Sequence, residues 1–215
     1  MNLKELSILV SDCSDVSESL PLLGLVLYAS SNEWSYRLLK VYFSLTLSIK
    51  CYALITSKFS INNMHAYHLL ALVELICLFL LYLRLLQRKE NYWYVVLSLL
   101  AGFMIVDTLV NQKLNQFNNM AWGMNVSILI FFGLWYYYRL YESAEQIYIE
   151  QFPMFFINAG FLIYASGSFF TYLFGWKILS KDAIGLFHNA WLIQSIANLI
   201  KNLVIAYGLW RTRTK

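Results

Sequence analysis

The chain has 215 residues, of which 60% are hydrophobic, 18% aromatic and 13% charged, with a formal net charge of +4. A soluble domain carries about 25% charged residues, so this apolar excess is too large for a soluble core of that size and points to a lipid environment. So modest a charge gives no reason to expect a nucleic-acid partner, and Cys13, Cys51 and Cys77 show no CxxC or Cys/His spacing, so neither a disulfide framework nor a bound metal or other cofactor is expected.

Seven apolar segments follow one another, at roughly 17–32, 37–57, 67–87, 92–110, 120–141, 153–175 and 184–210. A spanning helix needs about 20 mostly apolar residues, and the last six segments meet that length. The first is weaker. Its strongly apolar part runs only from Leu20 to Ala29, with Pro21 near its start, where proline is tolerated. An interfacial or partly buried helix there would leave six spans. Asp12, Asp15 and Glu18 precede this segment where a signal peptide has a cationic start, so no signal peptide is expected. The connections are short. Gln151-Phe152-Pro153 breaks the fifth segment from the sixth, and Gly175, Asp182 and Gly185 mark the last turn. The expectation is an all-α polytopic transmembrane bundle of seven helices, a single domain over 1–215.

Lys and Arg in short loops set orientation. Arg37, Lys40, Arg84, Arg88, Lys89, Arg139, Arg211, Arg213 and Lys215 fall on one side, against Lys4, Lys58, Lys113, Lys177 and Lys181 on the other. The richer side is expected to be cytoplasmic, with the amino terminus outside, the carboxy terminus inside and the inner membrane as the location. Trp34, Trp93 and Trp210 then sit at the inner interface, and Trp122 and Trp176 at the outer one.

Ionisable residues within spans are costly and mark candidate functional sites. Lys50, Glu74, Asp107 and Lys201 are the clear cases. At 100° per residue, His188, Gln194, Ser195, Asn198, Lys201 and Asn202 fall within an arc of about 140° on the seventh segment. That face must turn away from lipid. It reads either as a ligand or ion site or as polar glue between helices. Lys50 and Glu74 lie at matching depths on neighbouring segments and are expected to pair, with Asp107 and the outer histidines His65, His68 and His188 nearby. His188, Gln194, Asn198, Lys201 and Asn202 are the candidate ligand-binding core, and Lys50, Glu74 and Asp107 the candidate charge cluster; no residue is assigned a catalytic role.

Seven helices with Lys201 in the last invite comparison with retinal proteins, but the Asp expected four positions before that lysine is Ala197. Sugar transporters built from parallel repeats carry a Pro-Gln signature, and neither Pro21 nor Pro153 precedes Gln. Zinc hydrolases of the ceramidase and adiponectin-receptor superfamily need an HxxxH pair in the last helix, which here holds only His188. The remaining reading is a non-catalytic sensory or signalling-associated module in the lipid bilayer, with a small-solute transporter or membrane enzyme using the same polar core as the alternative. The chain has no output domain of its own; the loop after Arg139 carries Glu142, Glu145 and Glu150 and reads as solvated.

The phrases Gln151-Phe152-Pro153-Met154-Phe155-Phe156-Ile157-Asn158-Ala159-Gly160, Ile163-Tyr164-Ala165-Ser166-Gly167 and His188-Asn189-Ala190-Trp191 to Lys201-Asn202 resemble an uncharacterised family of small seven-helix membrane proteins of Bacteroidetes-type bacteria. The resemblance covers mainly the last third of the chain. It implies a context, because such proteins are often encoded near sensor histidine kinases, and so a separate signalling output protein such as a histidine kinase as partner. It implies no activity.

Overall fold

In the computed structural model, the described residues are 3–29, 33–143, 152–174 and 184–211, and they fold into helices with no strand among them. These are α1 (Leu3–Ser17), α2 (Ser19–Tyr28), α3 (Trp34–Lys58), α4 (Met64–Leu85), α5 (Tyr92–Val110), α6 (Asn119–Glu142), α7 (Pro153–Leu173) and α8 (Ile184–Trp210). Six of them, α3 to α8, contain stretches long and apolar enough to cross a membrane, as in a multi-pass membrane protein. The loop residues Glu145 and Glu150, Trp176, and the charges Lys177, Lys181, Arg213 and Lys215 lie outside the described residues.

The first of the seven expected segments takes a different form. It is an interrupted element, α1 followed directly by α2, and its helix starts fourteen residues before the apolar run expected at 17–32. Pro21 explains the interruption: it has no N–H to offer the carbonyl of Ser17, four residues earlier. Local hydroxyls support the junction, with Ser17 Oγ donating to the Ser14 carbonyl at 2.6 Å and Ser19 Oγ to that of Val16 at 2.8 Å. The other helix ends follow ordinary capping chemistry. Asn118 accepts from the Ala121 N–H at 3.1 Å at the start of α6, and Pro153 opens α7. Beyond α3 and α4, Ser60 and Gln87 both take φ of 56°, and Ile61 and Arg88 donate back to Thr56 and Leu83 at 3.0 and 2.8 Å, which closes the last turns.

Helix contacts order the bundle as a ring. The α1–α2 element packs on α8 and α3, α3 on α4, α4 on α6, α6 on α7, and α7 on α8. α5 stands outside the ring against α4, with Met104 and Asp107 as its buried residues. Its Val, Leu and Ile side chains face outward, as suits a lipid-facing helix.

The closest seam lies between α7 and α8. A Cβ built on Gly160 would lie 2.7 Å from Ile205 Cγ1 and 2.9 Å from the Lys201 carbonyl; one on Gly167 would lie 2.5 Å from Ala197 Cβ. Glycine here lets two backbones approach, as small residues do between membrane helices. Gly160→Ala should therefore destabilise the protein by about 1–3 kcal/mol through overpacking. Gly102→Ala on α5, where a Cβ meets nothing within 4 Å, should be neutral or stabilising by up to about 1 kcal/mol. Thermal melting of the two variants in detergent measures the difference, and equal losses would refute the close-approach argument.

Candidate functional site

Every member of the ring contributes to one small cavity of about 60 Å³. Its charged lining is Asp15 from α1, Glu18 at the α1–α2 junction, Lys50 from α3, Glu74 from α4 and Lys201 from α8. Aromatic walls come from Tyr42, Phe117, Trp122, Tyr164, Tyr172 and Trp191. A cavity of this volume holds a few water-sized groups, since a water takes about 30 Å³ of liquid volume. It has no room for a retinal.

The charges are arranged differently from the expected Lys50–Glu74 pair. Lys50 Nζ binds Glu18 Oε1 at 2.6 Å and Asp15 Oδ1 at 2.9 Å. Lys201 Nζ lies 3.6 Å from the same Glu18 Oε1, and sits over the Tyr164 ring at 4.8 Å and the Phe43 ring at 6.0 Å. Glu74 receives the Tyr42 hydroxyl at 3.3 Å on Oε2, while its Oε1 and the Oε2 of Glu18 have no hydrogen-bond partner. Lys50 and Glu74 thus face one cavity without pairing, because the carboxylates that compensate Lys50 come from the amino-terminal element. Asp107 is elsewhere. Buried on α5, it accepts from Asn111 Nδ2 at 3.0 Å and is not part of the cavity lining.

The polar face of α8 divides between two tasks. Asn198 and Asn202 donate to Ser14 and Ser17 Oγ at 2.7 and 2.8 Å, and His188 Nδ1 lies 3.3 Å from Ser7 Oγ. These contacts hold α1 against α8. Gln194 and Lys201 turn into the cavity, as does Asn198, and Gln194 Nε2 donates to the Tyr172 hydroxyl at 3.1 Å. Ser195 is buried, and its Oγ donates to the side-chain Oε1 of Gln194 at 3.5 Å. The glue reading therefore describes part of the stripe, and the other part lines the cavity.

A wider pocket of about 360 Å³ adjoins the cavity at the end of the bundle where α3 finishes and α4 and α8 begin. The two share Ser11, Asp15, Tyr67 and Trp191, which form the passage between them. The opposite side is packed shut among the described residues. Leu25, Leu39, Phe43, Leu78, Ile157, Phe161, Ile205 and Leu209 are each at most 2% exposed, and the Phe43 and Phe161 rings stack at 6.4 Å. The cavity is a blind recess entered from one end.

The outer histidines do not gather there. His68 Nε2 meets the Gln116 carbonyl at 3.0 Å, which only an N–H can satisfy, so Nδ1 is the acceptor for Asn118 Nδ2 at 3.0 Å. With Thr108 Oγ1 at 2.9 Å, this ties α4 to α5 and to the cap of α6. His65 meets the Tyr52 hydroxyl at 2.8 Å on the surface. Among the described residues, no group of three His, Cys, Asp or Glu side chains is placed to hold a metal ion.

Asp15, Glu18 and the serines of α1 are the site residues that sequence reading passed over. Their signal was present: Ser7, Ser11, Ser14 and Ser17 recur at three- and four-residue spacing, the pattern of a small polar helix face. No protein-family model matches the chain, and neither a curated protein nor a solved structure is similar to it.

Removing the Lys50 charge takes the cation from Asp15 and leaves Glu18 with Lys201 alone, at 3.6 Å. Lys50→Met should cost about 3 kcal/mol of stability, the usual penalty for breaking a buried pair from one side. Adding Glu18→Gln should restore part of that loss, a coupling that a double-mutant cycle in detergent unfolding measures. Strict additivity would mean that the 2.6 Å contact carries no coupling. Along the helix seam, Ser17→Ala leaves the buried Asn202 amide without its acceptor and should cost about 1–3 kcal/mol by the same assay.

Proposed function

We propose that the protein is a non-catalytic sensory or signalling-associated membrane module whose input site is the blind, charged cavity within the helix ring. The supporting observation is the combination of a small polar recess with a wider pocket at one end and a close-packed apolar floor at the other. Such a recess binds and releases from the same side, which is what a receptor requires. Ligand occupancy would be transmitted through the α1–α2 element, because its junction residue Glu18 is held by both Lys50 and Lys201. A change in either contact moves the junction relative to α3 and α8. The distribution of Lys and Arg supports an orientation with the amino terminus and pocket outside and the carboxy terminus in the cytoplasm of an inner-membrane protein. The output passes to a separate partner, for which a histidine kinase is the proposed identity on the resemblance described above.

The interrupted first element also favours a second reading. Interrupted helices that carry charge at a binding site are found in small-solute transporters. The two readings differ in what the floor does. A sensor keeps it closed, and a transporter opens it.

A thermal-shift screen of small polar solutes on the full chain in nanodiscs should find a ligand that raises the melting temperature. Ser11→Trp, which narrows the passage, should abolish that shift while leaving the ligand-free melting temperature within a few degrees. A screen without any hit removes the input site. Flux of the identified solute across proteoliposomes would move the assignment to transport, and its absence supports the sensor.

A further inference from the structure

The five charges lining the cavity do not balance. Asp15, Glu18 and Glu74 face Lys50 and Lys201, a formal surplus of one negative charge when all are ionised. The two cations are both drawn to the amino-terminal element, Lys50 by Asp15 and Glu18 and Lys201 by Glu18. Glu74 is left with a neutral phenol, Tyr42, as its hydrogen-bond partner. It is 4% exposed, and Glu18 is 3% exposed, yet each has one carboxylate oxygen that meets no donor. An isolated buried carboxylate is strongly disfavoured unless a cation, donor or proton satisfies it.

The aromatic walls of the same cavity suit a cation. Tyr172 stacks on Trp122 at 5.2 Å, and Phe117 packs edge-on against Trp191 at 5.4 Å and beside Tyr172 at 6.2 Å. Aromatic faces attract ammonium groups that have left water, and the Tyr164 face already does so for Lys201. The volume of about 60 Å³ admits a ligand of only a few heavy atoms. Asp15, at the passage shared with the outer pocket, places a further negative charge on the way in.

We infer that the cavity binds a small primary ammonium ion, with its N–H groups donated to the free oxygens of Glu74 and Glu18 and its carbon portion against the Trp122, Tyr172 and Trp191 rings. This rests on the proposed role of the cavity as a ligand site and names the chemical class of its ligand. The primary ammonium matters because three N–H donors are available for two acceptors, whereas a quaternary ammonium has none to give.

The test uses methylammonium chloride and the purified full chain in lipid nanodiscs, at constant ionic strength, with binding read by calorimetry. Saturable binding is expected, weakened at least tenfold in Glu74→Gln. That variant keeps an acceptor for the Tyr42 hydroxyl and loses only the charge, so its ligand-free melting temperature should not fall. Tetramethylammonium and sodium chloride should give no saturable heat. Infrared difference spectra should show Glu74 as a carboxylate in the bound protein. Three results would overturn the inference: binding of glycine or acetate but not methylammonium, equal binding by Glu74→Gln, or a Glu74 that stays protonated in the presence of methylammonium. In the first case the cavity remains a ligand site of another class. If no solute of any class binds, the cavity's proposed role falls as well.

Discussion

Glu18 is the residue on which the rest of the arrangement depends. One of its oxygens is shared by Lys50 at 2.6 Å and Lys201 at 3.6 Å, so a single carboxylate ties the amino-terminal element to α3 and to α8. Each of these groups is costly to bury alone. Together they are mutually dependent, because loss of the carboxylate takes the ion-pair contact from Lys201 and leaves Lys50 with Asp15 alone. The contact also explains why so polar a helix as α1 lies within the bundle. Its serines reach the amides of α8 and its acidic residues reach the lysines, so burial replaces hydration with hydrogen bonds and charge pairs.

The helix interruption at Glu18 follows from Pro21 and coincides with this constraint. A straight helix through this point would satisfy the Ser17 carbonyl from residue 21, but proline has no N–H to give. The helical ladder is instead interrupted at the residue whose side chain the two lysines hold. A local backbone irregularity and the largest concentration of intramembrane charge therefore coincide. Irregular backbone at membrane depth persists only where protein or a water-filled cavity covers it, and here α3 and α8 provide that cover.

Much of the architecture was legible because lipid imposes a length rule. Six apolar runs of about 20 residues became the six long helices, and Pro153 opened α7 as its missing N–H requires. The polar face of α8 was legible from its 100° spacing, and Lys201 and Asn202 are indeed among its most buried residues. The amino-terminal helix was not. Its low mean apolarity hides it from any rule built on hydrophobic length, and its burial depends on partners more than 180 residues away in sequence. The pairing of Lys50 failed for the same reason. Depth matching located Glu74 correctly as a neighbour of the same cavity, but it could not reveal that two closer carboxylates arrive from a segment without a spanning signature. Asp107 was misplaced because sequence does not say which helices close a ring, and α5 is the one left outside.

The position of α5 bears on how the ring can move. A helix packed on α4, with Trp93 against Phe132 and Trp135 of α6 and its other face toward lipid, adds little constraint across the cavity, so α4 and its Glu74 are anchored mainly by α3 and α6. Across the ring, α7 and α8 are locked by Gly160 and Gly167, where the backbones meet too closely for even a Cβ. These two helices therefore behave as a rigid wall. The adjustable wall is the opposite one, where α1 is held by charge and serine hydroxyls, while α2 packs the buried Leu25 into the floor and brings Gly24 against Leu209. The hydrogen bonds from its serines to the α8 amides are individually weak, averaging about 0.6 kcal/mol for polar contacts between membrane helices, and the Lys50–Glu18 ion pair is the stronger hold. The same element thus completes the charge cluster and supplies the part of the ring most responsive to what enters it.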